Sequence, residues 1–150
     1  MQEGQSYLSL PLHCTLARFA TGKPADEVLA KAWPVFAGAE AVVLRCGKPS
    51  RFGSGKKPRT VEVSLVEKTP GLDSLQMGLY DKLNQLGVEY SNPGYVGEAY
   101  RPHISKRGGE AAHENTEIMS HAVYFIEIQP SSRTSSYKLI HARMPLGRSA

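Results

Sequence analysis

Two short stretches of the chain carry the same arrangement of reactive side chains. His13-Cys14-Thr15 and His103-Ile104-Ser105 each set an imidazole two residues before a hydroxyl. In a β-strand the side chains at i and i+2 share a face, so His13 projects with Thr15 and His103 with Ser105, while Cys14 and Ile104 point the other way, toward a core. Two imidazoles and two hydroxyls brought together meet the needs of phosphodiester cleavage without a metal. A neutral imidazole takes the proton of an attacking water or sugar hydroxyl, a protonated one gives a proton to the leaving oxygen, and the hydroxyls hold the non-bridging oxygens. Acid and base catalysis by positioned groups contributes about 10²–10⁴-fold each. His13 and His103 are therefore the candidate catalytic pair, Thr15 and Ser105 the candidate phosphate ligands. The residues alone leave open which histidine is the acid.

The elements that must position these groups follow from local pattern. Tyr7–Ala20 alternates Leu8, Leu10, Leu12, Cys14 and Leu16 with Ser9, Pro11, His13 and Thr15, which predicts a strand with Pro11 at an edge. A helix is expected from Pro24, with Val28, Leu29, Ala32 and Trp33 on its apolar face and Pro34 ending or kinking it. Ala41–Cys46 and Thr60–Val66 read as strands joined by a Gly/Pro-rich loop over Gly47–Arg59. Thr69-Pro70 opens a second helix striped by Leu72, Leu75, Leu79, Leu83 and Leu86, with Gly87 as C-cap. Val88–Lys106 reads as a loop running into the strand of the second motif, and Gly108–Ser120 as a polar segment. Val123–Ile128 and Tyr137–Met144 close the chain as two strands. Strand pairs with short connections among two helices argue for α+β with antiparallel sheet, not a doubly wound fold.

Composition bounds the reading. The 150 residues are 41% hydrophobic and 21% charged, enough for one domain with a real core. No apolar run approaches the roughly 18 residues of a membrane span. The residues Met1–Ser6 do not resemble a signal peptide, and two cysteines make no disulfide framework, so a reducing, cytoplasmic setting is expected with no membrane partner. The net charge of +4 is unevenly placed: Arg45, Lys48, Arg51, Lys56, Lys57 and Arg59 follow one another with no acid among them. Such a stretch suits a polyanionic ligand, or is a solvated hairpin.

On these motifs the chain resembles the 2H phosphoesterase superfamily, which includes 2′-5′ RNA ligase-like proteins (RNA 2′,3′-cyclic phosphodiesterases) and phage enzymes that degrade cyclic oligonucleotides. Leu10-Pro-Leu-His-Cys-Thr-Leu-Ala-Arg-Phe19 is similar to the family's first motif, and Tyr100-Arg-Pro-His-Ile-Ser105 to its second. Phe125–Ser132 followed by Tyr137–Leu146 is similar to its closing strand pair. The resemblance implies a single two-lobed domain over residues 1–150, two antiparallel sheets facing across a groove with helices outside, each sheet giving one His/hydroxyl pair. It implies a monomeric, metal-independent phosphodiesterase, without cofactor, acting on an RNA end, a 2′-5′ linked or a cyclic oligonucleotide. The alternative is a catalytically silent RNA- or nucleotide-binding module of the same fold. The chain departs from the family pattern in the early position of His13, in Ser105 where threonine is commoner, and in Lys106-Arg107 where apolar residues are usual.

Further candidates stand around the motifs. Tyr100 and Arg101, directly before Pro102-His103, are the preferred substrate contacts, with Arg18 a phosphate contact. Lys56, Lys57 and Arg59 are expected to steer a polyanion. Tyr95 and Phe52 could stack a base, and Lys106 and Arg107 could meet a phosphate. His113, His121 and His141 have no hydroxyl two residues on and fit no metal spacing, so they read as structural or exposed. Trp33 reads as core.

Overall fold

The computed structural model describes residues 1–53, 60–107, 109–130 and 136–147, so Lys56, Lys57 and Arg59 lie outside the described residues. In chain order the elements are β1 (Ser6–Tyr7), β2 (Phe19–Ala20), α1 (Ala25–Phe36), β3 (Val42–Gly53), β4 (Thr60–Val66), α2 (Pro70–Gln85) and β5 (Glu89–Tyr90). Two single 3₁₀ turns, Pro93–Tyr95 and Gly97–Ala99, then lead to β6 (His103–Ser105), β7 (Glu117–Ser120), β8 (Ala122–Pro130) and β9 (Ser136–Pro145).

The chain is α+β, and every strand pairing described is antiparallel. One sheet runs β1-β9-β8, a second is the pair β2-β5, and a third runs β6-β4-β3-β7. The long β3 serves two neighbours in turn. Val42–Arg45 pair with β7, Cys46–Gly53 pair with β4, and the register shifts between Cys46 and Pro49. Helix α1 packs on α2 and on β9, and α2 packs on β3. Between them lies the core: Val28, Ala32 and Phe36 of α1, Leu72, Leu75, Leu79 and Leu83 of α2, Val42, Leu44 and Cys46 of β3, and Met144 of β9.

Local signals explain α2 well. The Thr69 hydroxyl accepts from Leu72 N–H, Pro70 supplies a first-turn φ, and Gly87 takes φ +67° just past the end. Five expectations are corrected. Of the two outcomes expected at Pro34, ending or kinking α1, the first does not occur: the helix runs two residues further to Phe36, since the proline's fixed φ is helical and it withholds only its own N–H. Trp33 is 42% exposed, since the buried stripe is Val28, Ala32 and Phe36 and the indole stands one position off it. The loop expected over Gly47–Arg59 is β-strand as far as Gly53, and the polar segment ends in β7. The strand expected over Tyr7–Ala20 is two residue pairs, β1 and β2, joined by an irregular segment that bends at Leu8–Ser9, Leu12 and Leu16 and pairs at Cys14. Its alternating pattern reads as strand, but no continuous ladder partner lies beside it to hold it straight. Among the described residues no helix is long and apolar enough to cross a membrane.

Candidate active site

The segment between β1 and β2 carries the first motif. It leaves the three-stranded sheet after Tyr7, tied there by Lys138 Nζ donating to the Leu8 carbonyl (2.8 Å), and crosses to β6. There Cys14 forms an isolated antiparallel bridge with Ile104. The two histidine motifs are therefore neighbours along one edge of the four-stranded sheet, not one on each of two sheets as expected. Ile104 is 3% exposed and Cys14 half-buried, so the bridged pair faces the core. Alternation turns the flanking residues to the opposite face. Continued by one residue each way, the register sets His13 across from Ser105 and Thr15 across from His103. The four expected residues are brought together, with Thr15 exposed and the other three half-buried.

Both histidines are held in the same way. His13 Nδ1 donates to the Pro11 carbonyl (2.8 Å) and His103 Nδ1 to the Arg101 carbonyl (2.7 Å), each two residues back. A carbonyl can only accept, so the proton sits on Nδ1 in the neutral ring and Nε2 is the nitrogen left for chemistry. A proline stands beside each tether, at Pro11 and Pro102. Its locked φ, and at Arg101 the extended bias of a residue before proline, help to hold the accepting carbonyl.

The surroundings of the two rings differ. Burial holds the His13 pKa below the usual imidazole value; the Pro11 carbonyl acts against this, and the charges of Arg107 and His103 add to the lowering. His103 stands edge-on to Phe52 (ring centroids 4.5 Å) and 6.4 Å from Tyr95, with Phe52 and Tyr95 5.3 Å apart. The Arg101 guanidinium covers the Phe52 ring at 4.5 Å. Phe52 is 5% exposed and so braces His103 instead of offering itself to a base. It escaped notice as a bracing residue because Gly47–Arg59 read as loop.

Tyr100 is corrected from substrate contact to internal brace. It is 4% exposed, its hydroxyl donates to the Thr15 carbonyl (2.9 Å), and Cys14 Sγ lies 3.7 Å from that oxygen. Burial pushes its phenol well above the usual value and likewise raises the Cys14 thiol, which leaves both groups unionised at neutral pH. Arg101 does stand beside His103, through Phe52. Arg18 is exposed on the lead into β2, its carbonyl accepting from Ser91 N–H, and no described contact joins its side chain to the histidines.

The neighbours Lys106 and Arg107 part company. Lys106 bonds Glu62, which also takes Arg51, on the face that carries Ile104. Arg107 falls on the histidine face. A cleft of about 580 Å³ is bordered by Arg51, Glu62, Ser64, Lys106 and His113, and neither histidine of the motifs lines it. Of the histidines outside the motifs, His141 bonds Glu127 (3.0 Å), while His113 and His121 are exposed. No protein-family model, curated protein or solved structure matches this chain.

Proposed function

We propose that the chain is a two-histidine phosphodiesterase of the 2H type, cleaving a nucleotide phosphodiester or a 2′,3′-cyclic phosphate. The observation that carries this reading is the matched pair of Nδ1 tethers, on two motifs that the Cys14–Ile104 bridge joins, which leaves Nε2 of each imidazole as the nitrogen for proton transfer. A structural histidine needs no such duplicate.

His13, whose pKa is held down, is the base. Its Nε2 takes the proton of the attacking hydroxyl as the new O–P bond forms. His103 acts from Nε2 as the acid: the P–O bond to the leaving group breaks and that oxygen takes the proton. Solvent then exchanges the two protons back. Thr15 and Ser105 hydroxyls donate to the non-bridging oxygens, whose charge rises in the transition state. None of these steps requires a metal or a cofactor.

The test is a substrate panel of 2′,3′-cyclic mononucleotides, 2′-5′ and 3′-5′ dinucleotides and cyclic di- and trinucleotides, assayed in EDTA. Cleavage of at least one is expected, falling about 10²–10⁴-fold in His13→Ala and in His103→Ala. Tight binding of these ligands without turnover would favour the silent module, and full activity in either alanine variant would end the two-histidine reading.

A further inference from the structure

Among the described residues two cations flank the second motif on the histidine side: Arg101, stacked on Phe52 at the His103 end, and Arg107, at the opposite end beyond Ser105. The β6–β4 register pairs His103 with Leu65, Ile104 with Ser64 and Ser105 with Val63, and Lys106 N–H continues it by donating to the Glu62 carbonyl. By alternation His103, Ser105 and Arg107 form one row on one face, while Ile104 and Lys106 turn to the other. Arg107 is not loosely placed. Its N–H donates to the Glu110 carbonyl (2.9 Å) and its own carbonyl accepts from Glu110 N–H (2.8 Å). Its side chain is exposed, and among the described residues no carboxylate pairs with it, whereas Lys106 is neutralised by Glu62. Across the bridge register it stands beyond Ser105, diagonal to His13, and His13 feels its charge.

Distance then decides what it can hold. A scissile phosphate shared by both histidines sits over the Cys14–Ile104 bridge, and Arg107 is three residues along β6, about 10 Å at ~3.3 Å per residue. That is past the hydroxyls, on the His13 side only. With His13 as base, that side holds the sugar whose hydroxyl attacks. Resting on the phosphodiesterase reading above, we propose that Arg107 binds a second substrate phosphate, the one on the 5′ side of the attacking nucleoside. The substrate is then an oligonucleotide, cleaved when the sugar hydroxyl forms its bond to phosphorus, the P–O bond to the next nucleoside breaks, and that oxygen leaves with the His103 proton.

The experiment compares two dinucleoside monophosphates of the cleaved linkage, identical except for an added 5′-phosphate, and a third with the extra phosphate at its 3′ end. Wild type is expected to favour the 5′-phosphorylated compound in kcat/KM by roughly ten- to hundredfold, the range of a charge-assisted contact. Arg107→Ala should bring that ratio close to one, and Arg107→Lys should keep part of it. Any preference for the 3′-phosphate should be the same in all three proteins. The wild-type preference should also weaken with salt, and the variant's should not. A wild-type ratio near one, or a ratio untouched by Arg107→Ala, overturns the inference while turnover itself upholds the phosphodiesterase reading. If no compound is cleaved, calorimetric binding of the same three compounds decides: a 5′-phosphate gain lost in Arg107→Ala keeps the anchor and drops catalysis, and equal binding drops both.

Discussion

Tyr100→Phe tests whether the two half-sites are positioned by a buried clasp. The segment carrying His13 and Thr15 meets β6 through one bridge, Cys14–Ile104, and through the Tyr100 hydroxyl on the Thr15 carbonyl at 2.9 Å. Phenylalanine keeps the ring, which is 4% exposed and packed in the core, and deletes only the hydroxyl. The lost hydrogen bond, part-buried between Tyr100 and the Thr15 carbonyl, is worth about 1 kcal/mol net, and up to ~3 kcal/mol if the carbonyl is left without a partner. For a chain of this size that lowers Tm by about 2–4 °C, too little to unfold it.

The effect on turnover should be larger than the effect on stability. Without the clasp, Thr15 and His13 can drift relative to His103, and a misplacement of about 1 Å costs up to ~10²-fold in rate. We expect kcat of Tyr100→Phe to fall ~10- to 100-fold on the best substrate of the panel, with KM changed less. Steady-state kinetics on the single variant, His13→Ala and the double variant separate positioning from general loosening. In a His13→Ala background the Tyr100→Phe penalty should shrink, since there is no longer an imidazole to misplace. The phenol's high pKa keeps it out of the pH–rate profile, so the variant's alkaline limb should match wild type. A kcat within twofold of wild type, alongside the small loss of Tm, would refute the clasp as a positioning device.

Three further outcomes are expected. Thr15→Val and Ser105→Ala should each lose up to about 10²–10³-fold in kcat, less than either histidine variant, and a fully active Thr15→Val would remove that hydroxyl from the site. Because His13 is folded with a depressed pKa, the unfolded chain binds a proton near 6.5 that the folded chain refuses until lower pH; the stability this group contributes is whole above 6.5 and is lost as pH falls through the folded value. Urea midpoints at pH 7.5 and pH 5 should therefore fall further in wild type than in His13→Gln, and parallel curves would contradict the assigned shift. Gly97 sits at φ +65°, and a Cβ there would meet Tyr80 Cε2 at 2.9 Å, so Gly97→Ala should destabilise by about 1–3 kcal/mol, read as a drop in Tm.

What was legible in the sequence was local. The ends of α2 are set by Thr69, Pro70 and Gly87, all within a turn of the boundary, and the leucine stripe repeats at helical spacing, so pattern alone places it. The pairing of hydroxyl with imidazole was an expectation from i, i+2 geometry, which for the first motif rests on the backbone at the single Cys14–Ile104 bridge. What could not be read depends on partners far away in sequence. Tyr7–Ala20 alternates like a strand, yet its neighbours change from β9 to β6 to β5 along its length, and no local feature announces those changes. Tyr100 beside the second motif looks like a ligand contact until the fold buries it under Thr15, 85 residues away. Lys106 and Arg107 look equivalent until β4 supplies Glu62 to one face only.

In the proposed mechanism two near-identical motifs do different work, and the bridge bears on what must set them apart. An antiparallel pair has a local two-fold, so Cys14 opposite Ile104 makes His13/Ser105 and Thr15/His103 equivalent pairs, each ring tethered alike. Equivalent imidazoles would compete for the same protonation state, and acid–base cleavage needs them unlike. The asymmetry must come from outside the motifs, and the structure has two sources of it. Arg107 lies at the His13 end, where its charge disfavours a second positive charge. Phe52 and Tyr95 lie at the His103 end, where they pack edge-to-face with its ring, with the Arg101 guanidinium stacked on Phe52. Removing Arg107 therefore does two separable things: it takes an anchor from the substrate and brings the two rings closer to equivalence. The first appears as a lost preference for the 5′-phosphate. The second appears in the pH–rate profile, whose acid limb should move up toward the ordinary imidazole range in Arg107→Ala whatever the substrate carries. An acid limb that stays put would leave burial and the charge of His103 as the causes of His13's low pKa, and would take from Arg107 any share in choosing the base.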